Sequence, residues 1–243
     1  MPLYKTITPN SQTIVKIWKI TESYKYLMEK VDLKPVALER VLGMKSELHQ
    51  RGFLSVRHLL AEFGYADSDL FYDENGKPHL KDGKHISITH SFNFSAVIIS
   101  DLIVGIDVEK QREKISIIAH KFIDYEFDYL SEESTDYIKK LTAIWCVKES
   151  LYKLYATPGL SFKQHCLVIP FSINDNETVA WIDYEDEWKT TRNEKGEFVR
   201  TEEYKALKEQ YASDIIDRVV DKMCANLREH IEFYEVATPI TYY

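Results

Sequence analysis

Ile103-Val-Gly-Ile-Asp-Val-Glu109 has β-branched residues at four of its seven positions and acids at 107 and 109. The pattern predicts a strand over 103–109, with Asp107 and Glu109 on one face because side chains alternate along a strand. Two carboxylates held that close repel each other unless a cation lies between them. A hard divalent ion such as Mg²⁺ takes oxygen donors of this kind, usually together with phosphate oxygens. Gly105, just upstream, leaves room for another backbone or a ligand. Taken alone, a pair of acids at a strand end more often faces only water, so the neighbouring segments have to decide.

Upstream, Ala96–Ser100 reads as a strand that forms a hairpin with 103–109, turning near Asp101. Ile86-Ser-Ile-Thr-His90 alternates, with Ile86, Ile88 and His90 on one face and Ser87 and Thr89 on the other. Leu70–Tyr72 is a short strand, and Asp73-Glu-Asn-Gly76 has turn chemistry. Ile14–Ile20 is an opening strand. Pro35 starts a helix that Gly43 breaks; a second helix carries Leu48, Phe53, Leu54, Val56, Leu59, Leu60 and Phe63 and stops at Gly64. Downstream, Ile115–Leu130 and Asp136–Ala156 read as helices, the latter closed by Pro158-Gly159, and Leu167–Ile173 and Thr178–Trp181 as strands. Glu202–Ile231 has the stripe of an amphipathic helix.

Strands around a long helix occur twice, so the expected class is mixed α+β with two similar lobes. Each lobe is a small antiparallel sheet on a long helix, with a site in the cleft between them. The expected divisions are 1–92, 93–184, and a charged tail over 185–243.

Composition narrows the function. The chain has 243 residues, 31 Lys+Arg and 39 Asp+Glu, hence 31 − 39 = −8, with 44% apolar residues. That is globular composition, and an acidic chain lacks the basic footprint that general nucleic-acid binding needs. Lys34, Arg40, Lys45, Arg51 and Arg57 against Glu39 and Glu47 make a local +3 over 34–60. The tail holds nine Lys/Arg and fourteen Asp/Glu, or −5. Three widely spaced cysteines form neither a disulfide framework nor a thiolate zinc site. The first residues lack the apolar core of a secretion signal, and the most apolar run, 96–105, is too short to span a bilayer. The expectation is a cytoplasmic protein with no membrane association.

On the 136–156 helix, Trp145, Glu149 and Lys153 recur every four residues and share a face. Glu149 is placed to supply a third carboxylate and Lys153 to meet a phosphate. Alone, the Glu149–Lys153 spacing is that of an ordinary surface pair. Gly76-Lys-Pro-His and Ser87-Ile-Thr-His-Ser91 add an ammonium, hydroxyls and an imidazole suited to an anion. No nucleophile elbow, phosphate loop of the Walker type or dinucleotide glycine pattern is present.

The order of these segments (basic helix, GKP, Thr-His-Ser, GIDVE, WCVKESLYK) closely resembles the 4′-phosphopantetheinyl transferases, in their larger pseudo-dimeric branch. The matching run covers about residues 45–160. The resemblance implies holo-acyl-carrier-protein synthase activity: transfer of the phosphopantetheine arm of coenzyme A to a serine of an apo acyl or peptidyl carrier protein, releasing adenosine 3′,5′-bisphosphate. It implies Mg²⁺, or Mn²⁺ in its place, at Asp107, Glu109 and Glu149. Glu149 and Lys153 take the catalytic roles. Lys45, Arg51, Arg57, Lys77, Thr89, His90 and Lys148 take coenzyme A, with Arg57 gripping its 3′-phosphate. Lys148 is equally at home in packing, and Thr89 stands where the family has serine. The carrier is expected to meet a local basic or apolar patch, with the 114–130 helix as a candidate. With both lobes in one chain a monomer suffices, and a dimer through the tail helix stays open. A non-catalytic coenzyme A or nucleotide binder and a metal-dependent phosphohydrolase are the alternatives.

Overall fold

The computed structural model describes residues 3–156, 159–175 and 177–182, and the backbone of strand segments 190–192, 198–200 and 234–237. The chain opens with the hairpin β1 (Leu3–Asn10) and β2 (Thr13–Lys19). Three helices follow: α1 (Tyr24–Glu29), α2 (Pro35–Leu42) and α3 (Glu47–Glu62). Next come the small hairpin β3 (Leu70–Tyr72) and β4 (Pro78–Leu80), then β5 (His85–Ser91) and β6 (Phe94–Ser100). Antiparallel pairing assembles four strands in the order β1-β2-β6-β5.

Local chemistry sets the helix ends. Pro35 occupies the first turn of α2, where its missing N–H costs nothing. After α3, Gly64 adopts φ +87°, its N–H donates to Ala61 O, and the Tyr65 N–H donates to Leu60 O. That pairing is a Schellman stop, which favours glycine. The apolar face of α3 (Phe53, Leu54, Val56, Leu59, Leu60) packs on Trp18, Ile86, Val97 and Ile99 of the sheet. The opposite sheet face (Val15, Ile17, Ala96, Ile98) is covered by Val104 and Ile106. With both faces covered, every residue of β6 is buried.

The second half is built on β7 (Asp107–Lys110), α4 (Lys114–Phe122), the long α5 (Tyr137–Tyr155), one-turn α6 (Phe162–His165), and the pair β8 (Cys166–Val168) and β9 (Ala180–Ile182). Phe122, Ile123, Leu141, Ile144 and Val168 form its core. Thr190–Arg192 (β10) pairs with Phe198–Arg200 (β11), and Tyr234–Ala237 (β12) pairs antiparallel with β7.

The mixed α+β class with antiparallel sheet stands. Three expectations are corrected. The hairpin partner of β6 is β5, joined through Phe92-Asn93; residues 101–106 form no strand, and β7 begins only at Asp107. β6 lies inside the first sheet, between β2 and β5. The 115–130 helix ends at Phe122, where Ile123 turns extended, and a single 3-10 turn follows at Tyr125–Asp128. The tail helix expected over 202–231 lies outside the described residues, and β12 ties the tail to the acid-bearing strand.

At Phe92 the hairpin has φ +51°. The first position of such a two-residue turn favours glycine, and a left-handed conformation costs any other residue about 1–2 kcal/mol.

Candidate active site

β7 is held on one side by hydroxyls at every second residue of β5. Ser87 Oγ accepts the Ile106 N–H at 3.2 Å, and Thr89 Oγ1 accepts the Val108 N–H at 3.2 Å. Thr89 also donates to Asp107 Oδ1 at 2.9 Å, and Ser91 donates to Glu109 Oε2 at 3.0 Å. The polar face of β5 therefore points inward and does for β7 what a backbone ladder does elsewhere. Asp107 is buried and Glu109 half-buried, each with its carboxylate oriented by a hydroxyl.

α5 brings the third acid. It approaches the segment before β7 so closely that a Cβ on Gly105 would come within 2.1 Å of Ser150 O, which only glycine permits. Lys153 Nζ donates to Asp107 Oδ1 at 2.7 Å and to Ile106 O at 3.0 Å. Burial, and next the charge of Asp107, push the Glu149 carboxyl above the ordinary carboxylate range; Lys153 opposes this and Glu109 adds to it. The Glu109 carboxyl is raised for the same two leading reasons, with its Ser91 hydrogen bond opposing. The charge of Asp107 thus acts on both other acids, opposed by Lys153 at Glu149 and by Arg112 at Glu109.

That electrostatic deficit bears on a metal. Asp107 Oδ2 is buried without a hydrogen-bond partner. The all-oxygen donor set of Asp107, Glu109 and Glu149 suits a hard divalent ion. Among the described residues no three such side chains stand close enough to enclose an ion as they are. The residues fit the charge and the donor chemistry, with Lys153 meeting part of the demand.

His90 is exposed, and its ring lies against Gly52, where a Cβ would come within 3.2 Å of its Cγ and Nδ1. Desolvation, then His49 and Lys153, hold the imidazole below its ordinary pKa, so it is neutral near pH 7. Arg40 also acts on His90 and stacks over Phe53 and Tyr72, at 5.6 Å and 5.5 Å from the ring centroids. Lys77 reaches from the β3–β4 turn to the C-terminal end of α5, donating to Leu154 O at 2.8 Å; burial lowers its pKa. Lys45 is exposed between α2 and α3.

Lys148, Arg57 and Arg51 have partners within the fold. Lys148 is fully buried, paired with Glu126 at 2.8 Å, and donates to Phe122 O at 2.7 Å and Phe162 O at 3.1 Å. Arg57 is 5% exposed, pairs with Asp67 at 3.1 Å and lies 3.6 Å from the Phe53 ring centroid. Arg51 donates to Ile20 O at 3.2 Å, and its Nε is buried without a partner. Trp145 packs between Phe122 and Phe162 instead of facing the acids. Lys148 and Arg57 are thus each paired with a buried carboxylate, and Arg51 with a backbone carbonyl.

Sequence reasoning missed Ser91, Arg40 and His49. Ser91 was visible as the third member of the run Ser87-x-Thr89-x-Ser91. Nothing in the sequence told Arg40 and His49 apart from the other cations of the basic stretch.

Residues 103–214 match the family model of the 4′-phosphopantetheinyl transferase superfamily, so this stretch is a domain of that superfamily. It contains β7 and α5, the two elements that carry the acids. The superfamily acts on carrier proteins, uses coenzyme A as substrate and typically a divalent metal. No curated protein matches the chain. Among the described residues no helix is long and apolar enough to cross a membrane.

Proposed function

We propose that the chain is a holo-acyl-carrier-protein synthase, transferring the 4′-phosphopantetheine arm of coenzyme A to a serine of an apo acyl or peptidyl carrier protein. One observation carries this reading beyond the family match: Lys153 pairs with Asp107, whose other oxygen is buried and unpartnered, and the charge of Asp107 acts on both Glu109 and Glu149.

The serine oxygen attacks the phosphorus that bears the pantetheine arm. Its bond to the bridging oxygen breaks, and adenosine 3′,5′-bisphosphate leaves with the bonding electrons. The serine proton goes to Glu149, whose raised pKa brings its basicity closer to working pH. Lys153, fixed by Asp107, presents positive charge to the phosphoryl oxygens. Neutral His90 offers an N–H, and Lys77 and Lys45 add cations at the rim. Thr89 and Ser91 keep Asp107 and Glu109 aimed. Mg²⁺, or Mn²⁺, held by the three acids would neutralise charge on the diphosphate and on the leaving group. The nucleophile belongs to the partner, so this chain needs no activated serine or cysteine of its own.

Both acid-bearing elements belong to one chain, which supports action as a monomer. Cys146 and Cys166 are buried and not joined in a disulfide, which suits the reducing cytoplasm. Incubation of an apo acyl carrier protein with coenzyme A and Mg²⁺, followed by intact-mass spectrometry, tests the assignment. A gain of one phosphopantetheine per carrier supports it. Phosphate release without that gain identifies a hydrolase, and binding of coenzyme A with neither identifies a non-catalytic module.

A further inference from the structure

We infer that Asp73 is a positioning residue for the reaction, fixing the β3–β4 turn so that Lys77 stays latched to the end of α5, the helix that carries Glu149 and Lys153. Its effect on turnover rests on the transferase reading; the latch itself is a property of the fold.

The turn Asp73-Glu-Asn-Gly76 is tied at its first residue. Asp73 Oδ1 accepts the N–H of Asn75 and the N–H of Lys77, each at 2.9 Å. The Asp73 backbone N–H donates to Lys77 O at 3.1 Å, and its own carbonyl accepts the Gly76 N–H at 3.0 Å. Gly76 supplies the φ of +81° that this closure needs. The other carboxylate oxygen, Oδ2, lies 3.0 Å from His79 Nε2. The His79 ring in turn stacks on Phe71, its partner across the hairpin, at 5.4 Å and 21°. His79 first, and the Lys77 N–H next, hold the Asp73 carboxyl below the ordinary carboxylate range. One carboxylate thus organises both legs of the hairpin and sets where Lys77 leaves it.

The destination of Lys77 is not local. Its Nζ donates to Leu154 O at 2.8 Å, across 77 residues of sequence. α5 ends one residue later, at Tyr155, and Ala156 turns left-handed at φ +52°. The last carbonyls of a helix have no partner within it, so a lysine from another element closes this one. The latch has a counterpart at Gly105, where α5 is fixed by the close approach of Ser150 O. Lys153 lies between Ser150 and Leu154, and its ammonium is the group on Asp107 Oδ1. A side chain held between two fixed points of the helix keeps its aim. Lysine has three N–H donors, so Lys77 can hold the carbonyl with one and meet a diphosphate at the rim with the others.

Hydrogen exchange of the peptide that ends α5, read by mass spectrometry, tests the latch without any substrate. Exchange there is expected to rise in Asp73→Ala and in Lys77→Met, and to rise no further in the double variant, because the first residue acts through the second. Asp73→Asn stays near wild type, since its side-chain oxygen still accepts the N–H groups of the turn. Unchanged exchange in Asp73→Ala, or an equal increment in the Lys77→Met background, overturns the inference. Turnover is then read with an apo acyl carrier protein and saturating coenzyme A. Asp73→Ala is expected to lower kcat about tenfold in the wild-type background and less than about twofold in Lys77→Met, while Asp73→Asn retains it. Normal kcat in an Asp73→Ala chain whose α5 end exchanges faster also overturns the inference, because the turn then holds the fold and not the chemistry. Absence of transfer by the wild-type chain rejects the transferase reading instead, and the exchange pattern still decides the latch.

Discussion

Lys148 and Lys153 both project from α5, and each faces a carboxylate, Glu126 at 2.8 Å and Asp107 at 2.7 Å. Around Lys148 the account closes. Both side chains are fully buried, two carbonyls take further ammonium protons, and Glu126 accepts from the Val168 N–H at 2.9 Å and the Asp124 N–H at 3.2 Å. Around Lys153 it does not close: the lysine is 26% exposed, and the Asp107 it pairs with leaves both Glu149 and Glu109 with raised carboxyls. A satisfied ion pair fixes geometry, whereas an unsatisfied one recruits a ligand. The same helix does both, and the first pair locks the rotation that presents Glu149 to the second.

Breaking the closed pair has the largest effect on the fold. Lys148→Ala strands a buried carboxylate and is expected to cost about 3–5 kcal/mol, read as loss of Tm and of soluble protein. Lys148→Met/Glu126→Leu removes both charges and recovers most of that loss, because an apolar pair of similar volume replaces them. Failure of the double variant to recover means that the hydrogen bonds of Glu126 to the 124–168 backbone carry the effect, and not the charge.

Breaking the open cluster acts in the opposite direction. Asp107→Asn or Glu149→Gln is expected to lower transfer by about 10³-fold, roughly 4 kcal/mol of barrier. Glu149→Gln without metal is expected to raise Tm at about pH 8, since a raised carboxyl pKa means that ionising it destabilises the fold. The folded chain holds that proton more tightly than the unfolded chain, so metal-free stability falls as pH rises through the raised pKa. The gain in Tm from Mg²⁺ grows over the same window, because metal displaces the proton. Thermal scans with and without Mg²⁺ from about pH 5 to about pH 8 check this sign. A Glu149→Gln variant less stable than wild type at high pH contradicts the deficit.

Gly105→Ala tests the contact that brings the two elements together. Its Cβ would meet Ser150 O at 2.1 Å, so α5 or the segment before β7 has to shift. Overpacking of this kind costs about 1–3 kcal/mol. Because Glu149 and Lys153 move with α5, kcat is expected to fall further than Tm suggests. Normal kcat in a destabilised variant separates the contact from the chemistry.

Punctuation and alternation were readable from sequence, and burial was not. Pro35, Gly43 and Gly64 set helix bounds because each acts on its own backbone. Asp107 and Glu109 stood out because strand alternation is local. The β5–β6 hairpin was hidden because its turn is Phe92-Asn93, without the glycine that usually announces one. β1 was hidden because its eight residues alternate in exposure only weakly. The resemblance placed Arg57 near phosphate and left Lys148 between phosphate and packing; the partners they have here, Asp67 and Glu126, depend on long-range packing that no local pattern encodes. β12 joins the acid-bearing strand from more than a hundred residues away, and no local pattern encodes that partner.

The smallest expected effect discriminates most finely. Ser91 touches neither the proposed metal nor the diphosphate; it donates to Glu109 Oε2 at 3.0 Å and thereby fixes the direction of a carboxylate already raised by burial. Ser91→Ala removes that donor, raises the Glu109 pKa further and frees its rotation. Loss of such an outer hydrogen bond costs about 10–100-fold in metal affinity, and the lower end applies here because Asp107 and Glu149 remain. The expected outcome is a higher Mg²⁺ concentration for half-maximal rate, near-normal kcat at saturating Mg²⁺, and recovery in Ser91→Thr, which keeps the hydroxyl. A structural defect lowers kcat at every Mg²⁺ concentration. Only a residue that works through Glu109 shifts the metal requirement and leaves the plateau intact.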